Sequence, residues 1–291
     1  MRRRASRCAA AFAALGLWLW LPASIAVGAP PVEIRVLVYN VHGLSDWVVD
    51  DDPVARMPQI SQRLDRYDIA LVQEDFRYHE ELKEAASHRV IERGNPSRSW
   101  LGRVTGLMEG SGLTLFARAA PTDVALLSRE SYGVCVGWFS EASDCLATKG
   151  LLHARLRLPN RREVDFYTTH LEAGSSPADE VAREAQIRRL TASVRSLSAG
   201  RAVVLGGDFN LDWDRPPQRA RLERLAHDLA LSDTGASHAE PARWNRIDYL
   251  FYRSAPDVTI EVLEAGQALE FVDDGRPLSD HPALFARLRI R

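Results

Sequence analysis

Two short segments near the C-terminal end contain side chains that could perform chemistry. Residues 206–210 (GGDFN) follow an apolar run, and residues 279–281 (SDH) precede one. A carboxylate and an amide at a strand end, together with a carboxylate beside an imidazole, are the groups that metal-assisted hydrolysis of a phosphate ester requires. Four further segments fit the same chemistry: 38–42 (VYNVH), 71–74 (LVQE), 168–171 (TTHL) and 246–249 (RIDY).

Each of these side chains also has an ordinary structural explanation. Asn40 and Glu74 would serve as caps after their strands, and Asp208 and Asn210 would form a polar turn. His170 would be a half-buried imidazole at a strand end. The joint pattern favours function, because all of these residues fall at strand ends, where active-site loops lie. The sequence therefore predicts that they meet in one site.

The elements that position these residues are predicted from hydrophobic periodicity. Alternating or continuous apolar runs predict strands at 34–40, 69–73, 113–117, 124–128, 150–158, 164–170, 202–206, 247–252, 258–265 and 283–290. Three- and four-residue spacing predicts helices around 57–66, 79–87, 177–197 and 218–230. Residues 94–112 are predicted to form a loop. Strands and helices alternate in two similar halves, which predicts two sheets packed face to face with helices outside.

The N-terminal 29 residues have the layout of a secretory signal peptide. Arginines precede an apolar stretch at 9–21, and small residues follow up to Ala29. We expect cleavage after Ala29 and export to the periplasm or the medium, although an uncleaved membrane anchor remains an alternative. Residues 30–291 are then expected to form a single catalytic domain.

Charge and cysteine content follow from this prediction. Removing four of the 37 basic residues leaves 33 against 39 acidic ones, a net charge of −6, so the whole molecule has no electrostatic attraction toward nucleic acid. Cys135 and Cys145 remain after Cys8 is removed. In an oxidising compartment we expect a disulfide between them, with two buried free thiols as the alternative.

In this order, the motifs resemble the endonuclease/exonuclease/phosphatase superfamily, which includes pancreatic-type deoxyribonuclease, abasic-site endonucleases and neutral sphingomyelinases. The resemblance extends over roughly residues 34–291. It implies an α/β fold of the DNase I-like type: a four-layer α/β/β/α sandwich of two mixed β-sheets flanked by helices. It also implies hydrolysis of phosphate esters with Mg²⁺ or Mn²⁺ as the cofactor.

The resemblance assigns the metal and the phosphate to different residues. Glu74 and Asn40 would hold the metal at one end of the site, with Asp280 contributing nearby. Asp208 and Asn210 would orient the phosphate or the attacking water. Oxygen ligands of this kind suit Mg²⁺, and the absence of cysteine and histidine clusters at zinc spacings argues against a zinc site.

The resemblance likewise implies roles for two histidines. His281 would be the general base, with Asp248 as its carboxylate partner. His170 would donate a hydrogen bond to the phosphoryl oxygens or the leaving group. An imidazole ionises near neutral pH, and a carboxylate behind it fixes its tautomer, so the residue types match these roles.

One segment points to a branch of the family. Residues 144–151 (DCLATKGL) resemble the Asp-x-x-x-x-Lys-Gly stretch that neutral sphingomyelinases have before the strand leading to Thr-His-Leu. The resemblance implies that Lys149 lies near the scissile phosphate and that Asp144 pairs with it in one loop state. An ordinary surface salt bridge is the alternative.

The favoured substrate is accordingly a phosphoester in a membrane lipid, bound at an interface by a monomer. Tyr132, with Trp138 and Phe139, would form an aromatic tip at the lipid surface, and Trp100 with Leu101 is a second candidate. Packing of these aromatics into the core is the alternative.

Two other functions remain open. A secreted nonspecific nuclease or another phosphoesterase would use the same groups, with Arg93, Arg98 and Arg103 as candidate contacts for a DNA backbone. His42 stands where abasic endonucleases have an aspartate, which disfavours DNA repair. A catalytically inactive binding module is the least favoured, because the whole set of acid, amide and imidazole groups is present.

Overall fold

Two six-stranded sheets packed face to face form the centre of the molecule. The computed structural model describes residues 29–47, 49–96, 110–137, 145–238 and 246–291. Within these residues the strands are β1 Val32–Asn40, β2 Ile69–Gln73, β3 Val90–Arg93, β4 Thr114–Ala117, β5 Val124–Ser131, β6 Gly150–Arg157, β7 Glu163–His170, β8 Val203–Asp208, β9 Ser232–Asp233, β10 Asp248–Arg253, β11 Ile260–Gln267, β12 Val272–Asp273, β13 Arg276–Pro277 and β14 Leu284–Ile290. The α-helices are α1 Pro53–Leu64, α2 His79–Lys83, α3 Pro177–Leu197 and α4 Pro216–Asp228.

Both sheets are mixed. The first has the order β11-β14-β1-β2-β4-β3 and the second the order β5-β6-β7-β8-β10-β9, while β12 and β13 form a separate hairpin. Each large sheet contains one parallel pair, β1 with β2 or β7 with β8, and its other pairs are antiparallel. Helices cover the two outer faces, so the expected four-layer α/β/β/α sandwich is confirmed.

The alternation of side chains on the central strands explains the layers. On β1, Val36 and Val38 pack between the sheets, whereas Leu37 and Tyr39 pack under the helices of the first sheet. Because successive side chains of a strand point to opposite faces, a strand buried on both faces must be apolar throughout. Burial of each such side chain contributes about 1.5–3 kcal/mol.

Strand register brings the polar ends of the strands to one edge of the sandwich. Asn40 pairs with Gln73 at the ends of β1 and β2, and His170 pairs with Asp208 at the ends of β7 and β8. Asp248 begins the antiparallel strand β10 opposite Asp208. The carboxyl ends of both parallel pairs therefore meet the start of β10 at the same edge.

The two sheets touch at this edge. A Cβ atom placed on Gly206 would lie 2.3 Å from Cγ2 of Val38 on the opposite sheet. Nearby, Gln73 Nε2 donates a hydrogen bond to Thr168 Oγ1 at 2.8 Å across the same gap. Only glycine permits so close an approach of β8 to β1, and residues of the two sheets thereby share one site.

Local caps and short strands account for the differences from the predicted elements. Helix α1 begins at Pro53, four residues before the prediction, because Asp52 Oδ1 accepts a hydrogen bond from Ala55 N and proline is favoured at the first helical position. Helix α3 has the predicted bounds, and Ser176 and Asp179 form its capping box. The prediction missed β3, β9 and the β12–β13 hairpin, which are too short for a periodicity signal.

Residues 135 and 145 form the predicted disulfide, which is therefore confirmed, with their Cα atoms 5.1 Å apart. The predicted signal segment lies, except for Ala29, outside the described residues. Of the helices that the structure describes, none is long and apolar enough to cross a membrane.

Candidate active site

A histidine held between two buried aspartates lies at the shared edge of the two sheets. His281 Nδ1 and Asp248 Oδ2 are 2.8 Å apart, and His281 Nε2 lies 3.8 Å from Asp208 Oδ2. Both aspartates are 2% exposed. Since Asp248 accepts the Nδ1 proton, Nε2 of His281 faces the site, where it is available to bind or move a proton.

The charges of this group perturb one another. Burial opposes the charged form of His281, but the carboxylates of Asp248 and Asp208 outweigh it and raise the pKa of His281 well above its usual range. Burial, aided by the neighbouring charge of Asp248, raises the pKa of Asp208 to about 6. Such perturbed pKa values in one cleft are typical of functional sites.

A second imidazole lies beside a buried lysine. Lys149 Nζ is 2.8 Å from His170 Nε2 and donates a further hydrogen bond to the carbonyl of Leu171 at 3.0 Å. His170 Nε2 also lies 3.4 Å from Asp208 Oδ2. Burial, together with the positive charges of Lys149 and His281, lowers the pKa of His170 well below its usual range. His170 is thus a neutral imidazole whose Nε2 accepts from the Lys149 ammonium.

Glu74 and Asn40 lie at the ends of β2 and β1 on the other side of His170. Glu74 Oε1 is 4.0 Å from His170 Nε2. The Asn40 amide donates to Asp208 Oδ2 at 3.1 Å and so joins the two sheets across the site. Glu74 has a left-handed backbone, with φ 57°, and its carbonyl accepts a hydrogen bond from Gly43 N.

Asn210 and Asp280 occupy the loops that follow β8 and precede β14. Asn210 N donates to Asp208 Oδ1 at 2.9 Å, and its side-chain amide donates to the carbonyl of Leu171 at 3.0 Å. Asn210 therefore fixes the ends of β7 and β8 relative to each other. The Asp280 side chain is 55% exposed and lies at the rim, with Oδ1 3.5 Å from His42 Nδ1.

The polar atoms of the site fit a divalent cation. Glu74 Oε2 and Asp248 Oδ1 are buried and have no hydrogen-bond partner among the described residues. Burial raises the pKa of Glu74 despite the opposing charges of His42 and Lys149. Buried carboxylate oxygens without donors are the ligands that Mg²⁺ or Mn²⁺ prefers, since a cation satisfies them and stabilises their ionised form.

The tightest potential ligand group differs from the set that the sequence assigned to the metal. Within the described residues, ligand atoms of Asp208, Asp248 and His281 all lie within 4.8 Å of one another. Glu74, Asn40 and Asp280 are the predicted metal ligands. Both sets border the same edge, and the contacts of His170 with Glu74 and Asp208 join them.

The structure thus brings together the nine site residues predicted from the sequence. One related prediction was wrong: Tyr132 is 1% exposed and its hydroxyl lies 2.6 Å from Thr169 Oγ1, so it packs in the core and forms no aromatic tip. Arg93 donates to the carbonyls of Asp75 and Phe76. The other candidate contacts lie outside the described residues: Arg98, Trp100, Leu101, Arg103, Trp138, Phe139 and Asp144.

The sequence analysis missed the residues that support the loop after β1. Asp51 Oδ2 lies 3.0 Å from His42 Nδ1, and Arg56 pairs with Asp51 from the first turn of α1. One feature of the sequence could have indicated these residues. Arg56 occupies a position on the apolar face of a helix, where a buried side chain is expected, shortly after three acidic residues at 50–52.

Residues 37–281 match the Endonuclease/Exonuclease/phosphatase family, and the chain belongs to this family. The sphingomyelinase of Mycobacterium tuberculosis (strain ATCC 25618 / H37Rv) is 28% identical over 266 residues, which cover 86% of this chain and 51% of that protein. The chain thus spans about half the length of this relative.

Two solved structures share the fold. A double mutant of beta toxin from Staphylococcus aureus with bound magnesium ions has a TM-score of 0.63 and 15% identity, covering 88% of this chain and 99% of its own. D. rerio TDP2 complexed with a single-strand DNA product has a TM-score of 0.62 and 18% identity, covering 88% and 98%. At these identities the likeness concerns the fold.

Proposed function

We propose that this protein is an exported phosphodiesterase that hydrolyses a phosphoester by water attack with the help of a divalent metal ion, and that its substrate is a sphingomyelin-like lipid. The observation that supports the hydrolytic chemistry best is the arrangement of His281 between Asp248 and Asp208, next to the Lys149–His170 pair.

In this proposal His281 is the general base. Asp248 holds the Nδ1 proton, which leaves the Nε2 lone pair directed into the site. As Nε2 takes a proton from water, the Asp248 carboxylate stabilises the imidazolium that forms. Asp208 and Asn210 orient the phosphate or the water, and the hydrogen bond between Asn210 N and Asp208 Oδ1 keeps these two residues in register.

Glu74, Asn40 and Asp280 would hold the metal ion, with Mg²⁺ or Mn²⁺ as the candidates. When bound, the ion supplies positive charge to the phosphate oxygens and to the attacking or leaving oxygen. The buried Oε2 of Glu74, which has no hydrogen-bond partner among the described residues, supports this assignment.

Lys149 supplies the second positive charge in this proposal. Its ammonium is buried and donates to His170 Nε2 and to the carbonyl of Leu171. A preorganised cation in a buried site stabilises charge on a phosphate more strongly than it would in water. The Nε2 lone pair of His170 is engaged by this ammonium, so His170 orients Lys149. Donation from Nε2 to the phosphate would require the other tautomer, with the proton on Nε2.

The lipid substrate is supported by the relative and by one motif. The sphingomyelinase relative is matched over 86% of this chain, and Lys149 directly precedes β6, which begins at Gly150, in the order expected for that branch. The net charge of −6 after removal of residues 1–29 gives no attraction to polyanions.

Hydrolysis of a substrate panel by the purified mature protein tests the proposal. The panel contains sphingomyelin vesicles, plasmid DNA and bis(p-nitrophenyl) phosphate, each assayed with Mg²⁺ and with EDTA. We expect release of phosphocholine from the vesicles, loss of this activity in EDTA, and loss in the His281→Ala variant. Hydrolysis that persists in EDTA would contradict the metal, and inert vesicles with nicked DNA would contradict the lipid.

A secreted nuclease is the second candidate, and the shared fold of the TDP2–DNA complex is the observation that favours it. Nicking of plasmid DNA should then fall steeply between low and moderate salt, because phosphate contacts release counterions. Arg93 offers little to such a backbone, since its guanidinium donates to carbonyls of its own chain.

A further inference from the structure

His42 lies between two carboxylates at the metal end of the site. Its Nδ1 is 3.0 Å from Asp51 Oδ2 and 3.5 Å from Asp280 Oδ1. The side chain is 19% exposed, whereas those of Asp51 and Asp280 are 35% and 55% exposed. A single N–H group thus faces two acidic side chains, one from the loop after β1 and one from the loop before β14.

Arg56 holds the loops around His42 in place through hydrogen bonds. The buried guanidinium donates to the carbonyls of Val41 and Leu278 at 2.9 and 2.7 Å and to the carbonyl of His42 at 2.7 Å. It also donates to Asp51 Oδ1 at 3.0 Å. Since one arginine ties both loops and the Asp51 carboxylate together, the position of Nδ1 relative to Asp280 is set by a rigid, buried group.

The backbone around His42 also contacts the other two proposed ligands. His42 N donates to Asn40 Oδ1 at 3.0 Å, and Gly43 N donates to the carbonyl of Glu74 at 3.0 Å. The left-handed backbone of His42, with φ 50°, permits both contacts. Residues 42 and 43 therefore touch Asn40, Glu74 and Asp280 at once.

We infer that His42 is a positioning residue for the divalent ion: its Nδ1–H, anchored on Asp51, holds the exposed Asp280 carboxylate in the orientation that binds the metal. This inference rests on the proposed metal-dependent function. Apart from His42, Asp280 Oδ1 accepts a hydrogen bond from Ser279 Oγ at 3.3 Å. Fixing an exposed carboxylate in advance reduces the entropy lost on binding. Partners of this kind typically change metal affinity by about 10- to 100-fold.

Two amide substitutions separate the role of Nδ1 from that of the other ring nitrogen. Asparagine places an N–H donor close to the position of histidine Nδ1, and glutamine places one closer to Nε2. Asparagine also tolerates the left-handed backbone. His238→Asn is the matched control, because His238 Nε2 pairs with Asp233 Oδ2 at 3.3 Å outside the site.

Mn²⁺ binding to the full-length mature protein, followed by calorimetry and by the loss of the free-ion electron paramagnetic resonance signal, tests the inference. We expect His42→Ala and His42→Gln to weaken Mn²⁺ binding by about 10-fold or more, and His42→Asn and His238→Asn to remain within about 3-fold of wild type. The melting temperatures of the metal-free variants, measured in EDTA, separate this effect from misfolding.

The outcomes are distinct. Unchanged Mn²⁺ affinity in His42→Ala overturns the inference, and so does tight binding by His42→Gln with weak binding by His42→Asn, because Nε2 would then be the working atom. A wild-type protein that binds no divalent ion overturns the proposed function together with the inference. Tight binding by wild type with no phosphodiesterase activity would contradict the function while leaving the role of His42 intact.

Discussion

The pKa values of two buried aspartates of the second sheet are shifted in opposite directions. Asp165 and Asp208 lie at opposite ends of the parallel pair β7–β8. Asp165 accepts hydrogen bonds from Arg155 at 2.7 and 3.1 Å and from Ser198 Oγ at 2.6 Å, and His153 Nε2 lies 3.1 Å away. Burial alone would raise the pKa of Asp165, but these donors lower it to about 2. The pKa of Asp208 is instead raised to about 6, by burial and by Asp248.

Hydrogen-bond donors and nearby positive charge distinguish the structural carboxylate from the proposed functional one. Asp165 has enough donors and positive charge to satisfy an ionised carboxylate, so it stabilises the fold. Asp208 has two donors, Asn40 and Asn210, and a carboxylate neighbour. The positive charges of His281 and Lys149 only partly offset the burial of Asp208 and the charge of Asp248. Incomplete balance of this kind is the condition expected of a group that awaits a cation, a substrate or a proton.

The largest expected effect concerns the proposed base. His281→Ala should lower kcat by about 10²–10⁴-fold, the scale of general acid–base catalysis. Because the base must be neutral and the Asp248 carboxylate raises the pKa of His281, the rate should climb with pH through that pKa. Asp248→Asn should move this limb to lower pH, which a pH profile of kcat/KM measures. A limb that does not move would contradict the pairing.

The second-largest expected effect is the difference in kcat when each of the two aspartates is replaced by asparagine. Asp208→Asn should lower kcat by about 10²-fold or more, because it removes a charge at the reacting centre. Asp165→Asn should leave kcat within a few-fold once the protein is folded. Steady-state kinetics at a temperature well below both melting points measures this, and equal losses in the two variants would remove the distinction.

Metal binding should raise the free energy of unfolding through Glu74 in the site, and Asp165, which lies outside the site, should not affect this gain. Mg²⁺ at about 100 times its dissociation constant should add about 2.7 kcal/mol to the free energy of unfolding, and EDTA should reverse this. Glu74→Gln should lose most of the gain, because it removes the charge of a carboxylate whose Oε2 is buried and has no hydrogen-bond partner among the described residues. Asp165→Asn should keep the gain. Thermal melts with and without Mg²⁺ give the answer, and a full gain in Glu74→Gln would argue against Glu74 as a ligand.

The smallest expected effect is on the metal-free fold. A pKa lowered from 3.8 to about 2 means that ionised Asp165 stabilises the protein by about 2 kcal/mol. This contribution is present above pH 4 and is lost as the pH falls from about 4 to about 2. Asp165→Asn should therefore lower the free energy of unfolding at pH 7, and the difference from wild type should shrink in acid.

In denaturant titrations, Asp208→Asn should change the free energy of unfolding in the opposite direction to Asp165→Asn. The pKa of Asp208 is raised, so the ionised carboxylate destabilises the fold above pH 4 and this penalty fades as the pH falls through about 6. In EDTA at pH 7 the variant should be more stable than wild type. A less stable variant would mean that Asp208 is balanced after all.

The sequence was sufficient to find the candidate ligands and bases. Asn40, Glu74, Asp208 and His170 each follow an apolar strand, and the parallel pairs necessarily bring such ends together. The order of these motifs along the chain resembles that of the family, and this resemblance predicted the four-layer fold. Lys149 was found by its motif.

Contacts that depend on register and loop paths were not predictable. The Asp165 network needs the register of β6 on β7, which places Arg155 opposite Asp165, and the end of α3, where Ser198 lies, and neither is encoded in local periodicity. The Asp51–His42 contact needs the path of the loop between β1 and α1. Tyr132 was misplaced because composition does not show on which side of a sheet an aromatic residue lies.

The contact at Gly206 has a consequence for any attempt to re-engineer this protein. The proposed metal ligands and His281 come from the first sheet and its loops, whereas Asp248, Asp208 and His170 come from the second. The absence of a side chain at Gly206 lets the two layers pack in van der Waals contact. A single added methyl group there would force β8 away from β1. Such a wedge, far smaller than any catalytic group, would lengthen the Asn40–Asp208 hydrogen bond and pull the two halves of the reaction centre out of reach of one phosphate.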